Sequence, residues 1–106
     1  MANLFTEKAC KIIKKIPKGR VATYGQLATL SGNPRNSRMI ARILHTYSRK
    51  MNLPWHRVIN SQGKISLSPG EGFEIQKSLL QDEDVVFNND KIDLDKHQWR
   101  PRKIPK

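Results

Sequence analysis

The stretch from Thr23 to Arg49 constrains the fold more than any other part of the chain. It carries start and stop signals for two helices separated by a tight turn. Thr23 has the hydroxyl that caps a helix N-terminus, and Gln26 stands three residues on, the spacing of a capping box. The helix it opens is expected over Tyr24–Ser31 and ends at Gly32. Asn33-Pro34 then opens a second helix, with Asn33 as cap and proline in the first turn, where a missing N–H costs little. Two helices joined by a short Gly-containing turn make a helix-turn-helix.

The second helix has two unlike sides. At 100° per residue, Met39, Ile40, Ile43, Leu44 and Tyr47 fall on one of them. Arg35, Arg38, Arg42, His45 and Arg49 fall within about 80° of one another on the other. Ser37 and Ala41 lie beside that basic arc, so small residues and long cations share one exposed face. A merely solvated face would include Asp or Glu, and this one has neither.

The same bias extends over most of the chain. Thirteen Lys and Arg lie between Lys8 and Gly70 with no Asp or Glu among them, and every acid except Glu7 lies from Glu71 onward. A net charge of +11 distributed in this way points to a polyanion as partner. Charge alone gives RNA and DNA equal weight and no sequence preference.

The remaining elements are short. Phe5, Ala9, Ile12, Ile13 and Ile16 make one apolar stripe on a helix over residues 4–16 that stops at Pro17. Residues 57–60 and 64–67 flank Ser61-Gln62-Gly63 as a small hairpin or wing, and Pro69-Gly70-Glu71-Gly72 reads as a tight loop. A helix over 73–83 carries Phe73, Gln76, Leu79 and Leu80. A second hairpin joins Val85–Phe87 to Ile92–Leu94. The fold class expected is mainly α with short β hairpins, a winged-helix-like helix-turn-helix in one domain over residues 1–99. A basic tail follows over 100–106. The N-terminal residues hold no apolar stretch long enough for a signal peptide or membrane span, and a lone cysteine fits a reducing compartment. The expectation is a soluble monomer without membrane contact, cytoplasmic and nucleoid-associated in a prokaryote or nuclear in a eukaryote.

No cofactor or metal site is expected: His45, His56 and His97 lack ligand spacing, and Cys10 is the only thiol. Cys10 lies at the flank of the first helix's apolar stripe, where thiols are ordinarily inert.

Residues 54–58 read Pro54-Trp55-His56-Arg57-Val58. This run resembles the active-site signature of the O6-alkylguanine-DNA alkyltransferases, in which a Pro-Cys-His-Arg core carries the alkyl-accepting cysteine. Val21–Ala28 resembles the family's first helix-turn-helix segment. Gly32-Asn33-Pro34 with Arg38 resembles its turn and recognition helix, and Pro54–Ile59 with Asn60-Ser61-Gln62-Gly63 resembles its active-site strand and turn. The matches are in order over about half the chain and correspond to the family's C-terminal, DNA-binding domain, without its N-terminal one. Trp55 stands where the cysteine should be. Indole has no thiol and no lone pair suited to displacing an alkyl carbon, so transfer through this position is chemically closed.

The resemblance implies roles residue by residue. Tyr24 would press on the phosphate next to the target and help rotate the nucleotide out; the alternative is an ordinary core tyrosine. Arg38 would be the finger that fills the gap left in the base stack, or one more phosphate contact. Extrusion costs a few kcal/mol, which such a side chain partly offsets. Arg35, Ser37, Ala41 and Arg42 would complete the DNA-binding face, with Arg49 on the backbone. Trp55, Val58, Ile59 and Ser68 would line the lesion pocket with Tyr24, although Trp55 could simply fill the hole a cysteine left. His56, Arg57 and Glu83 would survive as a structural network of the former active site. Tyr47 departs from the family, which usually carries asparagine there, and the loop around Ser68, Pro69 and Gly70 differs in length and type. The function implied is non-enzymatic: recognition of O6-alkylguanine in duplex DNA by nucleotide flipping, with DNA bending, marking the lesion for nucleotide excision repair proteins. The alternatives are a residual enzyme, using another acceptor residue or a glycosylase-like cleavage, and a general winged-helix nucleic-acid binder with no lesion preference.

Overall fold

The computed structural model describes residues 3–101. Helix α1 spans Leu4–Lys14, capped by Asn3, whose Oδ1 accepts the Thr6 N–H. It ends two residues before the position the sequence suggests and buries Ala9, Ile12 and Ile13 of the expected stripe together with Cys10 at its flank, while Ile16 is buried just beyond it. Strand β1 (Ala22–Thr23) leads into α2 (Tyr24–Leu30), and both halves of the capping box form between Thr23 and Gln26. Helix α3 (Ser37–Met51) buries Ile40 and Ile43 and ends on Asn52 in the left-handed conformation. Helices α1, α2 and α3 pack against one another around one core cluster, with Met39, Leu44, Tyr47 and Trp99 at its edge.

The second helix starts later than its sequence signals suggest. Asn33 caps a turn instead: its Oδ1 accepts the Arg35 N–H, and its carbonyl accepts the Asn36 N–H. The cap of α3 is Asn36, which makes no side-chain capping bond. Spending the Asn33 side chain on the turn leaves Arg35 outside the helix.

The expected wing is also replaced. Strand β2 (Val58–Ile59) pairs in parallel with β1, Ala22 opposite Val58 and Thr23 opposite Ile59. Asn60 closes a tight turn by accepting the Gln62 and Lys64 N–H groups on its side chain, and residues 64–67 form no strand. The Gly63 carbonyl accepts the Ile92 N–H, which fastens the turn to the C-terminal part of the chain.

Helix α4 (Phe73–Asp82) follows. Strands β3 (Phe87–Asn88) and β4 (Lys91–Ile92) form the second hairpin through Asn89 and Asp90, both at positive φ as a primed two-residue turn requires. Leu94 belongs to a short helix, α5 (Leu94–His97), where the sequence pattern predicts the end of a strand. The chain then runs alongside Val21, whose N–H is held by the His97 carbonyl and whose carbonyl accepts the Trp99 N–H. Val21, Ile59, Leu80, Val85 and Ile92 make a second buried cluster. Of the expected tail, residues 102–106 lie outside those described. Among the described residues no helix is long and apolar enough to cross a membrane.

Candidate nucleic-acid interface

Helix α3 turns its basic side outward. Arg38, Ala41, Arg42, His45 and Arg49 are exposed and Ser37 is half-buried. Arg35 is exposed as well, but it projects from the turn before the helix. Ala41 leaves the helix backbone uncovered between the exposed arginines, a combination of the kind that suits a phosphate backbone.

An open cleft of about 1520 Å³ runs between α3 and the turn that carries Trp55. It exceeds the usual span of a small-molecule pocket, about 300–1,000 Å³. An open groove of this size suits part of a polymer. Tyr24, Ala41, Leu44, Trp55 and Val58 contribute to its walls. Tyr24 opens α2 and packs its ring against the first core cluster, so helix capping and core packing fix its position together.

The wall opposite α3 is a single 3-10 turn, Trp55–Arg57. Its rigidity comes from Glu83. One oxygen of that carboxylate accepts from Arg57 Nε at 2.9 Å and the Gly19 N–H at 3.2 Å. The other accepts from Arg57 Nη2 at 2.8 Å and lies 2.7 Å from His56 Nε2. Burial tends to raise the Glu83 pKa, but the Arg57, His56 and Gly19 donors outweigh it and hold it at about 2. The carboxylate is therefore ionised and accepts the His56 proton. Arg57 Nη1 also donates to the Ile16 carbonyl at 2.9 Å, tying the turn to the segment that follows α1. The Trp55 ring stands edge-on to His56, with centroids 6.1 Å apart.

Gln76 completes the support and is the residue that sequence reasoning passed over. It is buried, and its Nε2 donates to the carbonyls of His56 and Val58, both at 3.0 Å. The available signal was an amide in a core-facing register of α4, three positions after Phe73 and four before Leu80. Replacing it with leucine strands two buried carbonyls, so Gln76→Leu should cost about 1–3 kcal/mol by urea denaturation.

Two of the expected pocket residues lie elsewhere. Ile59 is fully buried in the second core cluster, because in strand β2 it points to the face opposite Val58. Ser68 is exposed in a turn closed by the Glu71 N–H, and Ser66 and Leu67 line the cleft instead. That loop is anchored by Glu74, whose carboxylate accepts the Gly70 N–H at 2.9 Å. Cys10 is buried on α1, where burial pushes its thiol pKa up more than neighbouring Lys14 lowers it. The three histidines serve separate places: His45 is exposed on α3, His56 is bound to Glu83, and His97 is buried near the Gly19 carbonyl.

Residues 4–85 match the family model for the 6-O-methylguanine DNA methyltransferase DNA-binding domain. The chain is 44% identical over 91 residues to a Vibrio parahaemolyticus protein named DNA base-flipping protein, spanning 85% of this chain and 90% of that one. An Escherichia coli protein of the same name is 36% identical, over 90% of this chain and 74% of its own. Two solved structures, S. pombe ATL in complex with DNA and S. pombe Atl1 in complex with damaged DNA containing O6-carboxymethylguanine, share the fold with TM-scores of 0.82 and 0.79. Both are 33% identical, over 92% of this chain and 95% of theirs.

Proposed function

Since this chain belongs to the O6-alkylguanine-DNA alkyltransferase family, as an alkyltransferase-like protein, we propose that it binds O6-alkylguanine in duplex DNA, rotates that nucleotide into the cleft beside Trp55 and holds it without removing the alkyl group. The observation that carries this reading is the shared cleft. Tyr24 from α2, Ala41 and Leu44 from α3, and Trp55 line one groove, with Arg38 exposed on the same helix that borders it. Enclosing the whole base and its O6 substituent in a cleft requires drawing the nucleotide out of the stack, and a side chain that fills the gap offsets part of the cost. Arg38 is the residue to fill it. Trp55 and Leu44 offer apolar surface to the base and its substituent.

The absence of a nucleophile favours holding over repair. Trp55 supplies no thiol, Cys10 is buried on another element, and the His56–Glu83 pair is engaged with Arg57. The names of the relatives and the DNA in the S. pombe complexes support the partner and the flipping step. A held, distorted lesion is a mark, and we assign its reader to nucleotide excision repair. The protein would act wherever the DNA is kept, in the cytoplasm of a prokaryote or the nucleus of a eukaryote.

Arg38 and Arg49 separate the two components of binding. Arg38→Ala should lower affinity and also cut the preference for alkylated over normal duplex, by about tenfold, corresponding to roughly 1.4 kcal/mol. Arg49→Ala should weaken binding to both duplexes alike and flatten the salt dependence. Fluorescence anisotropy titrations on the two duplexes measure both effects. Equal losses on damaged and undamaged DNA for both variants would leave only a general helix-turn-helix nucleic-acid binder without lesion preference.

A further inference from the structure

Helix α1 carries a second basic face, which the cleft beside Trp55 does not use. Its core side, Ala9, Ile12 and Ile13, packs with α2 and α3. At 100° per residue, Lys8, Lys11 and Lys15 fall within about 60° of one another on the side opposite. All three are exposed, as is Lys18 in the turn that follows. The helix contains one acid, Glu7, and none of the three lysines forms an ion pair among the described residues.

The fold does not account for this face. Lysines three or four positions apart repel, and each such pair costs a helix about 0.2–0.5 kcal/mol. Lys11 and Lys15 gain from the partial negative charge at the helix C-terminus, but Lys8 stands in the second turn, where that field is weak. A solvated helix face ordinarily mixes the two signs. This one lines up cations over about 10 Å, a length that meets roughly three phosphates of one DNA strand. Apart from Leu4 at its start, the face has no exposed large apolar residue, so it lacks the anchors on which protein partners depend.

Its direction decides what it can touch. Helices α1 and α3 bury their apolar stripes in one shared cluster, so the lysines of α1 and the arginines of α3 look outward on different sides of it. A straight duplex seated on α3 cannot lie along α1 at the same time.

We propose that Lys8, Lys11 and Lys15 form a second, weaker DNA-binding face. Through it the protein takes hold of another duplex segment while α3 is still engaged, and so passes between segments without being released into solution. The contacts are ammonium to phosphate, so they carry no base preference. This goes beyond the lesion-reading cleft and requires only that duplex DNA is the partner.

The test is the rate at which a labelled O6-methylguanine duplex leaves the protein when unlabelled duplex is added, read by stopped-flow anisotropy. With one DNA-binding face, the rate constant is independent of competitor concentration. The wild type should instead dissociate about fivefold faster as competitor rises about tenfold. The triple variant Lys8→Gln/Lys11→Gln/Lys15→Gln, in which glutamine preserves the helix, should lose that dependence. It should also keep the wild-type ratio of affinities for methylated and normal duplex, which shows that α3 and the cleft remain folded. A wild-type rate constant indifferent to competitor would overturn the proposal, as would a triple variant whose rate still climbs like that of the wild type. Poly-glutamate at equal charge concentration should leave the rate near its value without competitor. Acceleration equal to that by duplex would overturn the DNA assignment in favour of an acidic protein partner. Loss of the methyl preference in the wild type would count against the lesion reading alone, because the competitor dependence is measured equally well on normal duplex.

Discussion

Glu83→Ala should destabilise the fold by about 3–5 kcal/mol, the cost of stripping a buried charge network of its anion. Arg57 and His56 would be left facing each other with their shared acceptor gone, and the Gly19 N–H would lose its partner. The turn that carries Trp55 would loosen, so lesion preference should fall even in molecules that remain folded. The same carboxylate makes stability depend on pH. Its folded pKa is about 2 against an ordinary value of 4.5, so the folded state favours the ionised form. That stabilisation is fully present above about pH 5 and is lost as the pH falls towards 2. It amounts to about 3 kcal/mol. Glu83→Gln should keep the shape, lose the charge and flatten this acid limb. Urea denaturation of wild type and Glu83→Gln at pH 7 and pH 3 reads the difference directly. A stability gap between the two proteins that is unchanged across that range would contradict the assignment.

Gly63→Ala should be nearly as damaging, at about 2–4 kcal/mol, for a purely steric reason. Gly63 sits at φ +78°, and a Cβ there would lie 2.5 Å from the Ile92 carbonyl oxygen. The left-handed conformation alone costs a non-glycine residue about 1–2 kcal/mol. The clash adds to this because the Ile92 N–H is bonded to the Gly63 carbonyl at 2.8 Å, so the two backbones cannot part without breaking that bond. Gly25 gives the contrast. It lies in the first turn of α2, where an added methyl group would meet nothing within 4 Å, and Gly25→Ala should be neutral or stabilise by up to about 1 kcal/mol. Thermal denaturation of the two variants side by side decides the matter, and similar melting temperatures would refute the steric account.

The parts legible in the sequence were those written in local chemistry. The Thr23–Gln26 capping box, the apolar stripes of α1 and α3, and the exposed basic arc all depend on neighbours within one or two turns, and all formed, with Arg35 alone left off the helix. The hairpin at Asn89-Asp90 followed from the same local rules, with a two-residue turn in place of the expected four and shorter strands. What stayed hidden depends on distant partners. Val58-Ile59 pairs with Ala22-Thr23 across most of the helical part of the chain, and two-residue strands have no periodicity to announce that pairing. The turn at Asn60 then looked like the tip of a wing, because nothing local reveals that Gly63 is fastened to Ile92. The displacement of Ile59 from the pocket follows from the same pairing. The family pattern pointed to the His56, Arg57 and Glu83 network, whose hydrogen bonds the structure contains. It did not point to Gln76, since an amide in a helix shows its importance only when the carbonyls it serves are in place.

The central claim is that the cleft beside Trp55 reads the O6 position of guanine. The most direct test is competitive binding at one fixed salt concentration, with duplexes differing only in guanine or O6-methylguanine at one position. A preference for the methylated duplex of about tenfold or more, roughly 1.4 kcal/mol, is the predicted result. Equal affinities would contradict it and leave a basic groove binder that keeps the family's motif as scaffold.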